Sequence, residues 1–263
     1  MRVLISNDDG YDAPGLAVLE RAAREVFEEV VVVAPLEHQS AMSHAVTLNR
    51  PVLCQELGEG RWALAGTPSD CVFLAIHHLL DRAPDLVLSG INNGPNLGYD
   101  TIYSGTVAAA REGLMNEVPA LSFSLAATRK FDHEHCFEPV RAILRAVREG
   151  PPLPSDTMLN VNIPSYAEYG PPVGYRACSL GTRVFANQTS EWTDPRGNRF
   201  LWLGGWDLDM KGGEDSDTYW IGQGYVTISP LTWALYAKGG RSLAEGVAAR
   251  LDLRNHEPME DHS

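Results

Sequence analysis

Asp8 and Asp9 stand side by side in Ser6-Asn7-Asp8-Asp9-Gly10, directly after the apolar run Val3-Leu4-Ile5. Two adjacent carboxylates at the tip of a core strand repel each other unless a cation or a proton lies between them. A hard divalent cation with oxygen ligands, Mg²⁺ or Mn²⁺, answers that repulsion and makes both residues ligands as well as candidate catalytic carboxylates. The competing reading is a turn plus a helix cap, a common use of Asp before Gly. The second chemical segment is Ser104-Gly105-Thr106, which opens an Ala-rich stretch. As a helix start it presents unpaired backbone N–H groups beside small side chains, an anion site, or else it is an ordinary Ser cap. A carboxylate-held metal next to an anion-binding helix start is the pairing that metal-assisted phosphoryl hydrolysis requires.

Two further polar loops follow apolar runs. One carries His38, Ser40, Ser43 and His44; the other carries Asn92, Asn93 and Asn96. Strand-order rules bring such loops to the same sheet edge as Asp8 and Asp9, so an oxygen cluster of two carboxylates, a serine and an asparagine is expected there. His38 and His44 could serve as leaving-group acids or as surface and capping residues. Other phosphate chemistries fail on the residues. No GxxxxGK[ST] loop exists, the lysines being Lys130, Lys211 and Lys238, and the glycines at 90, 94 and 98 do not make GxGxxG. An aspartyl-phosphate nucleophile would need Asp where Asn7 stands, and there is no GxSxG elbow. Water is therefore the expected nucleophile.

These loops need strands and helices to position them. Apolar periodicity predicts a helix over 14–29, then a buried strand at 30–34. Ser69-Asp70 is expected to cap a helix through Leu79, and 104–116 and 134–149 read as further helices. Residues 85–90, 120–124 and 158–163 read as core strands. Strands alternating with helices predict an α/β fold with a doubly wound, mostly parallel sheet. After Pro164, short aromatic segments separated by turn signals read as hairpins, followed by a final helix over about 242–253 and a charged, disordered tail from 255. The expected division is an α/β catalytic core at 1–170, a β-hairpin oligomerisation arm at 171–240, a C-terminal helix at 241–254 and a tail at 255–263. Trp202, Trp220 and Tyr225 are expected to bury against another subunit.

Bulk properties narrow the partners. The 263 residues are 44% hydrophobic, enough for a large core, and no segment nears the ~20 apolar residues of a membrane span. A formal charge of −13 without any basic stripe argues against a nucleic-acid-binding surface. The first strand begins right after Met1-Arg2, so no signal peptide is expected, and four scattered cysteines without a CxxC pair suit the cytoplasm.

Several motifs together resemble the SurE family of stationary-phase survival phosphatases. They are Ser6-Asn7-Asp8-Asp9-Gly10 with Ala13-Pro14-Gly15, the stretch from Ser89 to Gly98, Tyr103-Ser104-Gly105-Thr106 with its alanines, Gly66 to Cys71, Asp194 to Gly197, and Gly224 to Leu231. The resemblance implies a Rossmann-like core and a metal-dependent nucleoside 5′-monophosphate phosphatase, with one divalent ion per subunit. It maps metal ligands onto Asp8, Asp9, Ser40 and Asn92, with Ser43 as the alternative serine, and phosphate binding onto Asn96, Ser104, Gly105 and Thr106. The loop around Ser40 departs from the family pattern at Leu36, Glu37 and Ala41. The resemblance further implies a homodimer or homotetramer joined through the hairpin arm. The expected activity is hydrolysis of nucleoside 5′-monophosphates, extending to 3′-monophosphates and short polyphosphate. The rival expectations are a non-catalytic nucleotide or metal sensor and a hydrolase of another ester.

Overall fold

In the computed structural model, residues 1–127, 131–154, 156–185, 189–203, 208–234 and 238–250 are described. The strands in chain order begin with β1 (Arg2–Ser6), β2 (Glu29–Pro35), β3 (Cys54–Gly58), β4 (Arg61–Leu64) and β5 (Leu86–Asn93). They continue with β6 (Ala120–Ala126), β7 (Met158–Pro164), β8 (Tyr175–Ala177), β9 (Thr182–Phe185), β10 (Thr189–Thr193), β11 (Arg199–Leu203), β12 (Leu208–Lys211) and β13 (Val226–Leu231). The central sheet runs β3-β4-β2-β1-β5-β6-β7-β13-β8. From β4 to β7 all neighbours are parallel. Counting only these six strands in chain order, the sequence across the sheet is 3-2-1-4-5-6, the doubly wound Rossmann order, and its switch point lies between β1 and β5.

The strands are apolar on both sides because helices cover both faces. On one face α1 (Pro14–Arg24) packs with α5 (Phe137–Glu149), burying Leu16, Leu19, Val140 and Leu144 against Val3, Ile5 and Leu88. On the other, α2 (Pro68–Leu74), which continues as a π-helical turn at Ala75–Leu79, packs with α4 (Gly105–Met115) over Leu4, Val33 and Val87. Toward the carboxyl ends of the strands this second face turns polar. Ser6, Ser89, Ser122, Asn160 and Ser229 stand in register across five adjacent strands, all essentially without solvent contact.

Several boundaries differ from the sequence expectation. Helix α1 stops at Arg24, and Val26 and Phe27 stay buried in the connection because β2 begins at Glu29 to pair with Arg2. The cap of α2 is Thr67, not Ser69-Asp70; Asp70 sits one turn in and closes a capping box with Thr67. Asp70 also accepts from Thr47 N at 2.9 Å and from the Thr47 hydroxyl at 2.5 Å, anchoring the 44–53 loop. The β3–β4 pair had no sequence signal, since β3 is fully exposed.

Within the 171–240 stretch, β8 and β13 are strands of the central sheet, β13 running antiparallel to β7. Between them lie two two-stranded ribbons, β9–β12 and β10–β11, and α7 (Asp217–Ile221) precedes β13. Short α3 (Asp100–Tyr103) and α6 (Tyr166–Tyr169) also belong to the unit spanning Met1–Trp233. A second unit, Ala234–Ser263, contains α8 (Arg241–Arg250). The expected continuation of this helix to 253 and the tail at 255–263 fall outside the described residues. No helix among the described residues is long and apolar enough to cross a membrane.

Candidate active site

Strand β1 ends at the switch point, and Asn7 closes the turn that follows: its amide donates to Gly10 O at 2.8 Å and its Oδ1 accepts from Gly10 N at 3.3 Å. Helix α1 starts after Ala13 without any side-chain cap, with Pro14 in its first turn. The turn-and-cap roles that competed for Asp8 and Asp9 are thus filled by Asn7 and Pro14. Gly15 lets α1 press onto the end of β5, since a Cβ there would lie 2.0 Å from Ile91 O.

Asp8 is 5% exposed and takes a hydrogen bond from the Thr106 hydroxyl of α4. Burial pushes its carboxyl up to about 6; the Thr106 hydroxyl opposes the shift and the neighbouring Asp9 charge adds to it. Asp9 is held from β5, accepting from Asn93 N at 3.1 Å and Asn93 Nδ2 at 2.9 Å. Its Oδ1 also lies 3.3 Å from His38 Nδ1. Among the described residues no arginine or lysine pairs with either carboxylate. A buried and a half-buried acid side by side, with no arginine or lysine partner among the described residues, are a chemically suitable donor pair for a divalent ion. Asn92 fits beside them: its amide nitrogen donates to Gly94 O at 2.8 Å, and its amide oxygen takes no hydrogen bond from any described residue. No group of three or more His, Cys, Asp or Glu side chains is gathered for a metal among the described residues, so neutral oxygens must belong to such a set.

The loop after β2 reaches the same edge. Gln39 N donates to Asp8 O at 2.7 Å, and Ser40 is exposed with its hydroxyl 2.5 Å from His38 Nε2. Ser43 is turned away: its hydroxyl donates to Ile102 O at 2.8 Å. His44 is also engaged elsewhere, 2.6 Å from Glu112 on α4.

Ser104 caps α4, its Oγ accepting from Val107 N at 3.1 Å. Gly105 and Thr106 bring this helix start directly against Asp8. Asn96 sits in the loop after β5, held through its main chain: its N–H donates to Asn162 Oδ1 at 2.8 Å, and its carbonyl accepts from Asn160 and Asn162 at 2.8 and 3.0 Å. One amide hydrogen of Asn96 goes to Ser124 Oγ at 2.8 Å, and the other has no partner among the described residues. Asp217 secures the far end of the loop by accepting from Gly98 N at 2.9 Å.

Sequence reasoning missed these supports. Asn160 and Asn162 alternate with Leu159, Val161 and Ile163, and polar residues at period two in a buried strand were the available signal. His133 was missed as well; it is buried against α1, near enough to Asp9 to feel its charge, and burial lowers its pKa. No local pattern could have linked it to residues more than a hundred positions away.

An acidic, oxygen-rich centre at the switch point of a Rossmann-type sheet, flanked by a helix N-terminus, defines the class of α/β protein. The chain belongs to the SurE family: the family described as survival protein SurE matches residues 3–187. A 5′-nucleotidase SurE of Gemmatimonas aurantiaca is 46% identical over 237 residues, covering 88% of this chain and 92% of that protein. One from Pelobacter propionicus is 43% identical over 235 residues, covering 88% and 93%. The crystal structure of SurE from Aquifex aeolicus superposes with a TM-score of 0.78 at 33% identity, over 94% of this chain and all of that one.

Proposed function

We infer that this chain is a 5′-nucleotidase-type phosphatase that hydrolyses nucleoside 5′-monophosphates at a divalent metal centre. The observation that carries the reading is the adjacent Asp8–Asp9 pair at the β1–β5 switch point, Asp8 buried and neither paired with an arginine or lysine among the described residues, directly against the start of α4. Asp8, Asp9 and Asn92 would be the ligands, completed by Ser40. The bound ion, Mg²⁺ or Mn²⁺, would offset phosphoryl charge and acidify water.

The chain's own groups do the remaining work. Thr106 orients the Asp8 carboxylate by its hydroxyl, and Asn93 orients that of Asp9. The spare amide hydrogen of Asn96, the Ser104 hydroxyl and the first free N–H groups of α4, at Gly105 and Thr106, are the donors for phosphate oxygens. Asn160, Asn162 and Asp217 hold the Asn96 loop in place.

The enzyme works as a homodimer or homotetramer through the β10–β11 ribbon, in the reducing cytoplasm where Cys54, Cys71, Cys136 and Cys178 stay free thiols. The direct test is phosphate release from AMP and GMP with Mn²⁺, next to a panel of sugar phosphates. The reading requires release from the nucleotides, its loss with a chelator and its loss in Asp8→Asn. Chelator-insensitive turnover, or a preference for sugar phosphates, would overturn it.

A further inference from the structure

We propose that Asp217 joins the root of the hairpin arm to the loop that meets the substrate's phosphate, so that the arm, and not the α/β core alone, sets the affinity for that phosphate. Asp217 is then a positioning residue acting through Asn96, and the proposal rests on the reading of Asn96 as a phosphate donor.

Asp217 opens α7 and is without solvent exposure. Its Oδ2 accepts from Gly98 N at 2.9 Å, whereas its Oδ1 accepts from Gly181 N at 2.7 Å and from Thr218 N at 2.8 Å. The two oxygens divide their partners: one holds the Asn96 loop, the other holds the chain entering β9. No arginine or lysine pairs with this acid among the described residues, so main-chain N–H groups offset its burial, which still raises its pKa. A buried carboxylate that loses a donor is left under-solvated, so neither segment can move away from it without penalty. The Asn96 loop and the arm root are thereby tied to each other.

Both legs of the β9–β12 ribbon close on this same turn. A Cβ at Gly181, just before β9, would lie 2.0 Å from Thr218 Oγ1, and one at Gly212, just after β12, would lie 2.1 Å from Ser216 Oγ. Ser179 N donates to Asp215 O and Asp217 N to Ser179 O, each at 2.9 Å, and the Thr218 hydroxyl donates to Lys211 O at 3.3 Å. A second contact reaches the loop independently of the carboxylate: Leu97 is buried with Ile221 of α7 and with Ala126 at the end of β6. Leu97 stands between Asn96 and Gly98, so α7 grips the loop by one apolar side chain and one main-chain N–H. The acids of the metal centre are held elsewhere, by Thr106 and Asn93.

The test uses the full chain with Mn²⁺ and follows AMP hydrolysis, with inorganic phosphate as the competing probe. In Asp217→Asn the amide oxygen stays with the two donors at Gly181 and Thr218, and the amide nitrogen turns toward Gly98 N, which cuts only the link to the loop. KM and the inhibition constant for inorganic phosphate should both rise about fivefold or more. The turnover number and the Mn²⁺ affinity should change by less than about twofold, a split that a general loss of folded enzyme would not produce. Gly181→Ala, placed in the arm root, leaves the carboxylate present but displaces the turn that carries it, and should raise the same two constants. The double variant should be little worse than Asp217→Asn alone, because both changes act on one link. A folded Asp217→Asn or Gly181→Ala with wild-type KM and phosphate inhibition would overturn the proposal, as would effects that multiply independently in the double variant. Absence of phosphate release by wild type would instead overturn the nucleotidase reading on which the proposal rests.

Discussion

Gly105 opens helix α4 directly against the side chain of Asp8: a Cβ at this position would lie 2.9 Å from Asp8 Cβ and 3.0 Å from its Oδ2. On sequence grounds the glycine made room for a phosphate. The structure makes the carboxylate the immediate neighbour, so helix start and acid form one unit. Valine has the higher helix propensity, yet this contact makes a side chain at position 105 costly. Both Gly105→Ala and Gly105→Val should destabilise the protein, by about 1–3 kcal/mol for the overpacked contact, and should reduce metal affinity along with kcat/KM. Thermal unfolding beside a metal titration checks this; a variant with wild-type Tm and metal affinity would show that the contact relaxes freely.

The Asp8 carboxyl gives the metal-stripped protein a specific pH dependence. Its proton is held more tightly in the folded chain, at about 6 against an ordinary 3.8, because burial disfavours the charge. Its contribution to stability is therefore complete below pH 4 and is lost as pH rises through about 6, a change of about 3 kcal/mol. Asp8→Asn escapes that loss. Without metal, the variant should gain stability relative to wild type between pH 4 and pH 7, while having no metal-dependent turnover. Urea unfolding of both proteins at the two pH values, with and without Mn²⁺, measures the difference, and the gap should narrow when Mn²⁺ is added to wild type.

Asn162 grips both main-chain polar groups of Asn96 from β7, two strands away from β5. Asn162→Ala strands a buried N–H and weakens the support of a carbonyl, a cost of about 1–3 kcal/mol. KM for a nucleoside monophosphate should rise more than kcat falls, because the loop that meets the phosphate loosens while the carboxylates stay in place. Steady-state kinetics resolves the two; a kcat-only defect would remove Asn96 from phosphate binding.

Trp192 and Phe200 pair across the β10–β11 ribbon with ring centroids 5.1 Å apart, and Trp202 shares their face at 72% exposure. Trp220 and Tyr225, expected to act with them, instead pack within the Met1–Trp233 unit around the Arg176 guanidinium, at 4.9 and 4.6 Å. Trp192→Ser with Trp202→Ser should therefore shift the protein toward monomer, whereas Tyr225→Ser should not. Light scattering at micromolar concentration reads this directly, and a wild-type monomer would count against the arm as an interface.

What could be read from the sequence was what short-range physics determines. The runs at Val3-Leu4-Ile5 and Val30 to Ala34 are buried strands because nothing else accommodates so dense an apolar stretch. The cap at Ser104 and the carboxylate pair at Asp8 and Asp9 are equally local, and the alternation of strands and helices implied the parallel sheet. The tertiary structure decided whatever depends on partners distant along the chain. Exposed β3 and short β8 join the sheet only through pairing with β4 and β13. Asp70 closes the capping box of α2 and also anchors the 44–53 loop because Thr47 comes to meet it. Asn160 and Asn162 look like interruptions of an apolar strand until the Asn96 loop lies over them. His38, two residues from Ser40 in sequence, meets Asp9 only because the loop is drawn to β1. Local propensity and periodicity are carried by neighbouring residues, whereas the closing of a site is carried by contacts whose sequence separation no periodic pattern encodes.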